Sequence, residues 1–221
     1  MSRLARLRFK TDIAVSQFSG AVAEQIFGAR LPQLFLDYQI ALHQIIRAND
    51  HLMGVAADQA RRRWQQGDAS CRGLFEYMEW HRQDELNHPD WLLEDIQVLG
   101  VSRESVLEAA PPAHIAALPG CQYYWIYNHH PAMLFGYMVV LEGYAMRLED
   151  IDRYQQQTGF PAAAFRTMRL HAQEDPGHAD GLYQFLDNCA FSDALFDAIT
   201  GAALTTCMQM ATIFKTLADK P

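Results

Sequence analysis

Apolar positions recur along this chain at the three- and four-residue intervals of buried helix faces, and no useful length alternates as a strand would. The pattern predicts helices at about 12–27, 32–66, 70–99, 120–157, 161–188 and 192–218, with a short one near 103–109. Gly67 and Gly100 suit the left-handed residue past a helix end, and Ser102 and Ser192 suit N-caps. "TGFP" at 158–161 offers a stop followed by a proline start. The proline-rich "EAAPPAHIAALPG" at 108–120 reads as a loop. No linker or shift in composition interrupts the pattern, so one all-α domain over 1–221 is expected, with residues 1–11 as a basic N-terminal arm.

Two rows depart from the apolar rule in their middles. One runs Phe165, Met168, His171, Asp175, His178, Leu182, Phe185, Cys189, and the other Leu74, Met78, His81, Glu85, His88, Leu92, Ile96 or Asp95, Leu99. In each, a trio spaced i, i+4, i+7 lies on the face that should be buried. A carboxylate taken into an apolar interior loses several kcal/mol of hydration unless it is paired, protonated or bound to a metal. Neither row contains a cation, since Arg82, Arg166 and Arg169 lie off both, and a divalent metal is the partner left.

Imidazole mixed with carboxylate, without thiolate, argues against structural zinc and for iron or manganese with open positions. Glu85-x2-His88 also has the spacing with which helical bundles hold paired metals. Glu142 is the candidate third carboxylate, because it follows the apolar run "MLFGYMVV" at 133–140. Glu85, His88, Glu142, His171, Asp175 and His178 then make six ligands, too many for one metal that must also bind oxygen and suited to two. Three carboxylates against two divalent ions leave one positive charge, so the second metal is expected to be held more weakly.

Composition narrows the partners. The 26 acidic and 18 basic residues give a formal charge of -8, which disfavours nucleic acid. No secretory signal is visible, and "AMLFGYMVVL" at 132–141 falls well short of the roughly 18 apolar residues that span a bilayer, so no membrane is expected. Cys71, Cys121, Cys189 and Cys207 form no CxxC pair and read as reduced thiols of a cytoplasmic protein.

At "DELNHPDWLLEDIQVLG" (84–100), "LFGYMVVLEG" (134–143) and "HAQEDPGH" (171–178) the chain resembles the heme-oxygenase-like di-iron oxidases and oxygenases, or iron-containing redox enzymes. The resemblance spans about 70–190 and implies a bundle of about seven helices, often homodimeric. One helix would supply Glu85 and His88, a second Glu142, and a third His171, Asp175 and His178. It further implies two ferrous ions, O2 as co-substrate, and a small amino-acid or carboxylate substrate that undergoes N-oxygenation, C–C cleavage or oxidative decarboxylation. His81 stands where some members carry Glu. His81 and Tyr144 are the candidates for supporting the ligands from behind, with His81 also an alternative ligand.

Pro176 should bend its helix and aim Asp175. Tyr123, Tyr124, Trp125, Tyr127, Tyr137 and Tyr144 are candidate cavity walls, and Arg147, Arg166 and Arg169 candidate partners for a substrate carboxylate, with core packing and surface salt bridges as the plainer readings. Two rivals remain. A metal-free enzyme like the thiamin-hydrolysing and pyrroloquinoline-quinone-forming types would need a nucleophile, for which Cys121 is the one candidate. A non-catalytic iron-binding bundle would need no substrate pocket. A heme oxygenase, with one axial His and no carboxylate cluster, fits poorly.

Overall fold

In the computed structural model, which describes residues 1–19 and 26–220, every element among the described residues is helical. The helices are α1 (Arg3–Ser19), α2 (Leu31–Ile46), α3 (Asn49–Gln65), α4 (Cys71–Glu85), α5 (His88–Val98), α6 (Arg103–Glu108), α7 (Ala113–Asn128), α8 (Leu134–Gly143), α9 (Leu148–Thr158), α10 (Arg166–Asn188) and α11 (Asp193–Ala218), with 3₁₀ turns at Pro131–Met133 and Ala162–Phe165. The expected all-α class is borne out. Ser102 and Ser192 accept the N–H groups of Ser105 and Leu195, and Gly67, Gly100 and Gly159 take positive φ.

Several boundaries differ from expectation. Residues 3–10 are no arm but the first turns of α1, whose Leu7 is fully buried, while residues 20–25 of the helix expected at 12–27 lie outside the described residues. The segment 32–66 breaks at Arg47–Ala48, where the sequence has neither proline nor glycine. The 70–99 helix breaks between Glu85 and His88, because Pro89 would set its ring against the Glu85 carbonyl and has no N–H to offer it. The expected loop at 108–120 is largely α7: Pro112 sits at its start, where a missing N–H costs nothing, and Pro119 is carried inside it. Pro131 forces His130 into extended backbone and ends α7. α10 continues through Pro176 as one helix.

α8 is almost wholly buried. Leu134 to Val140 are all buried, with α11 on one side and α10 on another. Gly136 permits the closest approach: a Cβ there would lie 2.6 Å from Ala203 N and from Ile199 O. α8 ends one residue after Glu142, where a Cβ on Gly143 would lie 2.7 Å from the Tyr183 hydroxyl oxygen. The crossing thus fixes the depth of Glu142.

Candidate metal centre

α4, α5, α8 and α10 bring the two polar rows and Glu142 to one place. His81 Nε2 lies 3.1 Å from Glu142 Oε1, and the His81 and His178 rings meet edge to face with centroids 4.9 Å apart. One ligand atom from each of His81, Glu142 and His178 lies within 4.8 Å of the other two. Beside this trio, His88 Nδ1 is 3.2 Å from Glu85 Oε2, the His88 and His171 rings are 4.6 Å apart, and His171 Nδ1 is 3.1 Å from Asp175 Oδ1. Glu85 joins the two groups, since its other oxygen is 4.0 Å from His178 Nδ1. All six predicted ligands converge, and His81 stands among them rather than behind them. Tyr144 does not support them: its hydroxyl donates to Asp12.

The helix break at Pro89 matters here. Glu85 closes α4 and His88 opens α5, so their spacing is not that of one continuous helix. Two carboxylates that the rows did not reveal stand at the rim: Glu174 Oε2 is 3.7 Å from His88 Nε2, and Asp84 Oδ2 is 3.9 Å from His178 Nε2. Both are half exposed and lie off the buried faces. Their only sequence signal is adjacency to the predicted ligands in "DELNH" and "QEDPGH".

Electrostatics show how unfinished the arrangement is. The ion pairs of Glu85, Glu142 and Asp175 among the described residues are with histidine alone, never with arginine or lysine. Burial pushes the Glu142 carboxyl up, against the pull of His81. Burial acts upward on Glu85 too, but His88, whose Nδ1 is 3.2 Å away, and the neighbouring imidazoles outweigh it and hold the group at about 2. For His171, burial acts downward and is overcome by the Asp175 hydrogen bond, which carries the imidazole up. Buried polar atoms normally find partners. Here His81 Nδ1, His88 Nδ1, Glu142 Oε2, His171 Nε2 and His178 Nδ1 are buried without one. A proton on His171 Nδ1 shared with Asp175 leaves Nε2 as a free lone pair, as in carboxylate-oriented metal ligands. Four imidazoles and three carboxylates with five orphaned atoms fit divalent iron or manganese.

A cavity of about 300 Å³ opens onto His81, Glu85, Glu142, His171 and Asp175 and runs between α2, α3, α8 and α11. Of the aromatic residues predicted to wall it, Tyr137 and Tyr144 do so, whereas Tyr124 and Tyr127 are exposed. Arg147, Arg166 and Arg169 lie outside it, paired with Asp150, with Glu94 and Asp95, and with Asp152. Cys121 is likewise not in its wall, and burial pushes that thiol up.

Asp68, Cys71 and His130 form a separate cluster, with Cys71 Sγ 3.6 Å from His130 Nε2. His130 Nδ1 accepts the Ala132 N–H, so the neutral ring carries its proton on Nε2, the nitrogen facing Cys71 and Asp68. That nitrogen donates, and the cluster pins the start of α4 rather than offering a ligand.

Residues 77–209 match the model of a family described as iron-containing redox enzymes. Among solved structures, a domain of unknown function with a heme oxygenase-like fold from Shewanella denitrificans OS217 superposes with a TM-score of 0.81 at 17% identity, covering 97% of this chain and 91% of that one. A TenA homolog from Pseudomonas syringae pv. tomato DC3000 gives 0.72 at 15% identity, covering 96% and 91%. These likenesses establish the heme-oxygenase-like fold. No curated protein matches the chain.

Proposed function

Because the chain belongs to the family of iron-containing redox enzymes, we propose that it is a non-heme di-iron oxidase or oxygenase that uses O2 to oxidise a small organic substrate. Glu85, His88, His171 and Asp175 would hold one ferrous ion, and His81, Glu142 and His178 the other. Bound iron would supply the electrons that activate O2 for attack on the substrate.

The protein's own part follows from its geometry. Asp175 fixes the tautomer of His171, Glu85 reaches toward both groups, and the apolar cavity keeps bulk water from the place where the ligands meet. The observation that carries the reading is that five of the twelve buried, unpartnered side-chain nitrogen and oxygen atoms among the described residues lie together on these converging residues. The trio with a single carboxylate should hold its ion more weakly. A hydrolytic alternative that attacks through a thiol or hydroxyl finds no cysteine, serine or threonine among the described residues of the cavity wall.

Anaerobic ferrous titration followed by O2 exposure tests the reading. Wild type should bind close to two equivalents and consume O2 within one turnover, Glu142→Ala should bind no more than one, and His171→Ala should lose the tighter ion. Unchanged stoichiometry in both variants would refute the ligand set.

A further inference from the structure

Asp95 is the least exposed carboxylate among the described residues, at 1%, yet its partners lie outside the metal cluster. It stands seven residues after His88, two turns along the same face of α5. Its Oδ2 accepts the N–H of Thr167 at 2.7 Å, in the first turn of α10, where a carboxylate also meets the positive end of the helix. Thr167 in turn stands four residues before His171, on the face of α10 that carries this ligand. α5 and α10 therefore run antiparallel and are tied twice. One tie is at the cluster, where the His88 and His171 rings are 4.6 Å apart, and the other is at Asp95, about 10 Å further along α5.

Two neighbours complete the second tie. Arg166 donates to the Trp91 carbonyl at 2.9 Å and pairs with Glu94 at 2.8 Å and with Asp95 at 3.5 Å, all three on α5. From α2, the buried Gln39 donates to the Ala164 carbonyl at 2.9 Å, in the 3₁₀ turn that leads into α10. Hydrophobic contact is non-directional and does not set how far one helix lies along another, whereas a bond from a side chain to one backbone N–H does. Pro176 adds to the demand on that bond. It offers no N–H to the Ala172 carbonyl, so the half of α10 that carries His171 and Asp175 is joined less firmly to the half that follows.

We propose that Asp95 is a positioning residue: by accepting the Thr167 N–H it fixes where α10 lies along α5, and so holds His171 and Asp175 opposite His88 at the spacing one metal ion needs. The consequence for metal rests on the di-iron reading, while the tie between the helices does not. The ion at Glu85, His88, His171 and Asp175 spans both helices and depends on the tie. The ion at His81, Glu142 and His178 has no ligand on α5 and depends on it less.

The test is anaerobic calorimetric titration of the full-length protein with ferrous ion, together with amide hydrogen exchange of the metal-free protein. Asp95→Ala should weaken the tighter binding step by about tenfold or more and the weaker step by less than about threefold. Exchange at residues 167–175 should quicken by about tenfold in the same variant. Asp95→Asn keeps an acceptor for Thr167 and should stay within about threefold of wild type in both steps. Ser192→Ala removes the cap of α11, a helix without ligands, and should lower the melting temperature by about 2–4 °C with both steps unchanged. If Asp95→Ala fails to fold, Asp95→Leu, which fills the space and accepts no bond, takes its place. Equal weakening of both steps, or an Asp95→Asn variant as weak as Asp95→Ala, would overturn the proposal. Wild-type affinities in Asp95→Ala sink only this inference, whereas a wild type that binds no iron, with exchange quickened as expected, sinks only the metal reading.

Discussion

His43 shows what a buried imidazole does in this protein when no ligand role is available. It is almost wholly buried, its Nδ1 has no partner, and burial first, then the Arg47 and Arg103 guanidiniums, push it down to about 4. An unfolded chain takes up that proton near the ordinary value of about 6.5, so the folded state loses stability as the pH falls from there to about 4 and no further below it. The loss should be on the order of 2 kcal/mol after solvent screening. Denaturant unfolding at pH 7 and pH 4.5 should show a smaller drop for His43→Gln than for wild type, and equal drops would contradict this account. The site residues differ from His43 in number and convergence, and that difference was legible in the sequence: polar trios at helical spacing replaced the middle of two core rows. The place of His81 was not legible, because spacing gives the face of a helix but not which ring nitrogen meets which neighbour.

Among the elements, α8 carries the most consequence for its length. An alanine at an ordinary helix position is favoured over glycine by about 1 kcal/mol. At Gly136 the sign should reverse, since the added carbon would meet the backbone of α11 and no side-chain rotation relieves it. Gly136→Ala should cost about 2–3 kcal/mol and lower the melting temperature by about 4–10 °C. A rise in melting temperature would mean that α8 and α11 do not cross this closely. Helix existence was readable from periodicity throughout, whereas helix ends were not. Pro89 and Pro131 carried the signal for two of the breaks, yet Pro112, Pro119 and Pro176 are accommodated at or within helices, so proline alone does not tell a break from a tolerated interior position.

For the molecule as a whole, the all-α class followed from the helical period of the apolar positions, and the convergence of the six predicted ligands from one physical demand, that buried carboxylates without cations need another counter-charge. The cavity did not follow from the sequence, because its wall gathers residues from helices far apart in the chain whose apolar character alone reads as core. Nor did the rim carboxylates Asp84 and Glu174, which stand outside the buried faces. The central claim is that the cluster formed by α4, α5, α8 and α10 holds a pair of metal ions. Its most direct test is anomalous diffraction at the iron edge from crystals soaked anaerobically with ferrous ion. The account predicts two separate peaks, the stronger among Glu85, His88, His171 and Asp175 and the weaker among His81, Glu142 and His178; peaks elsewhere, or no iron at either group, would contradict it.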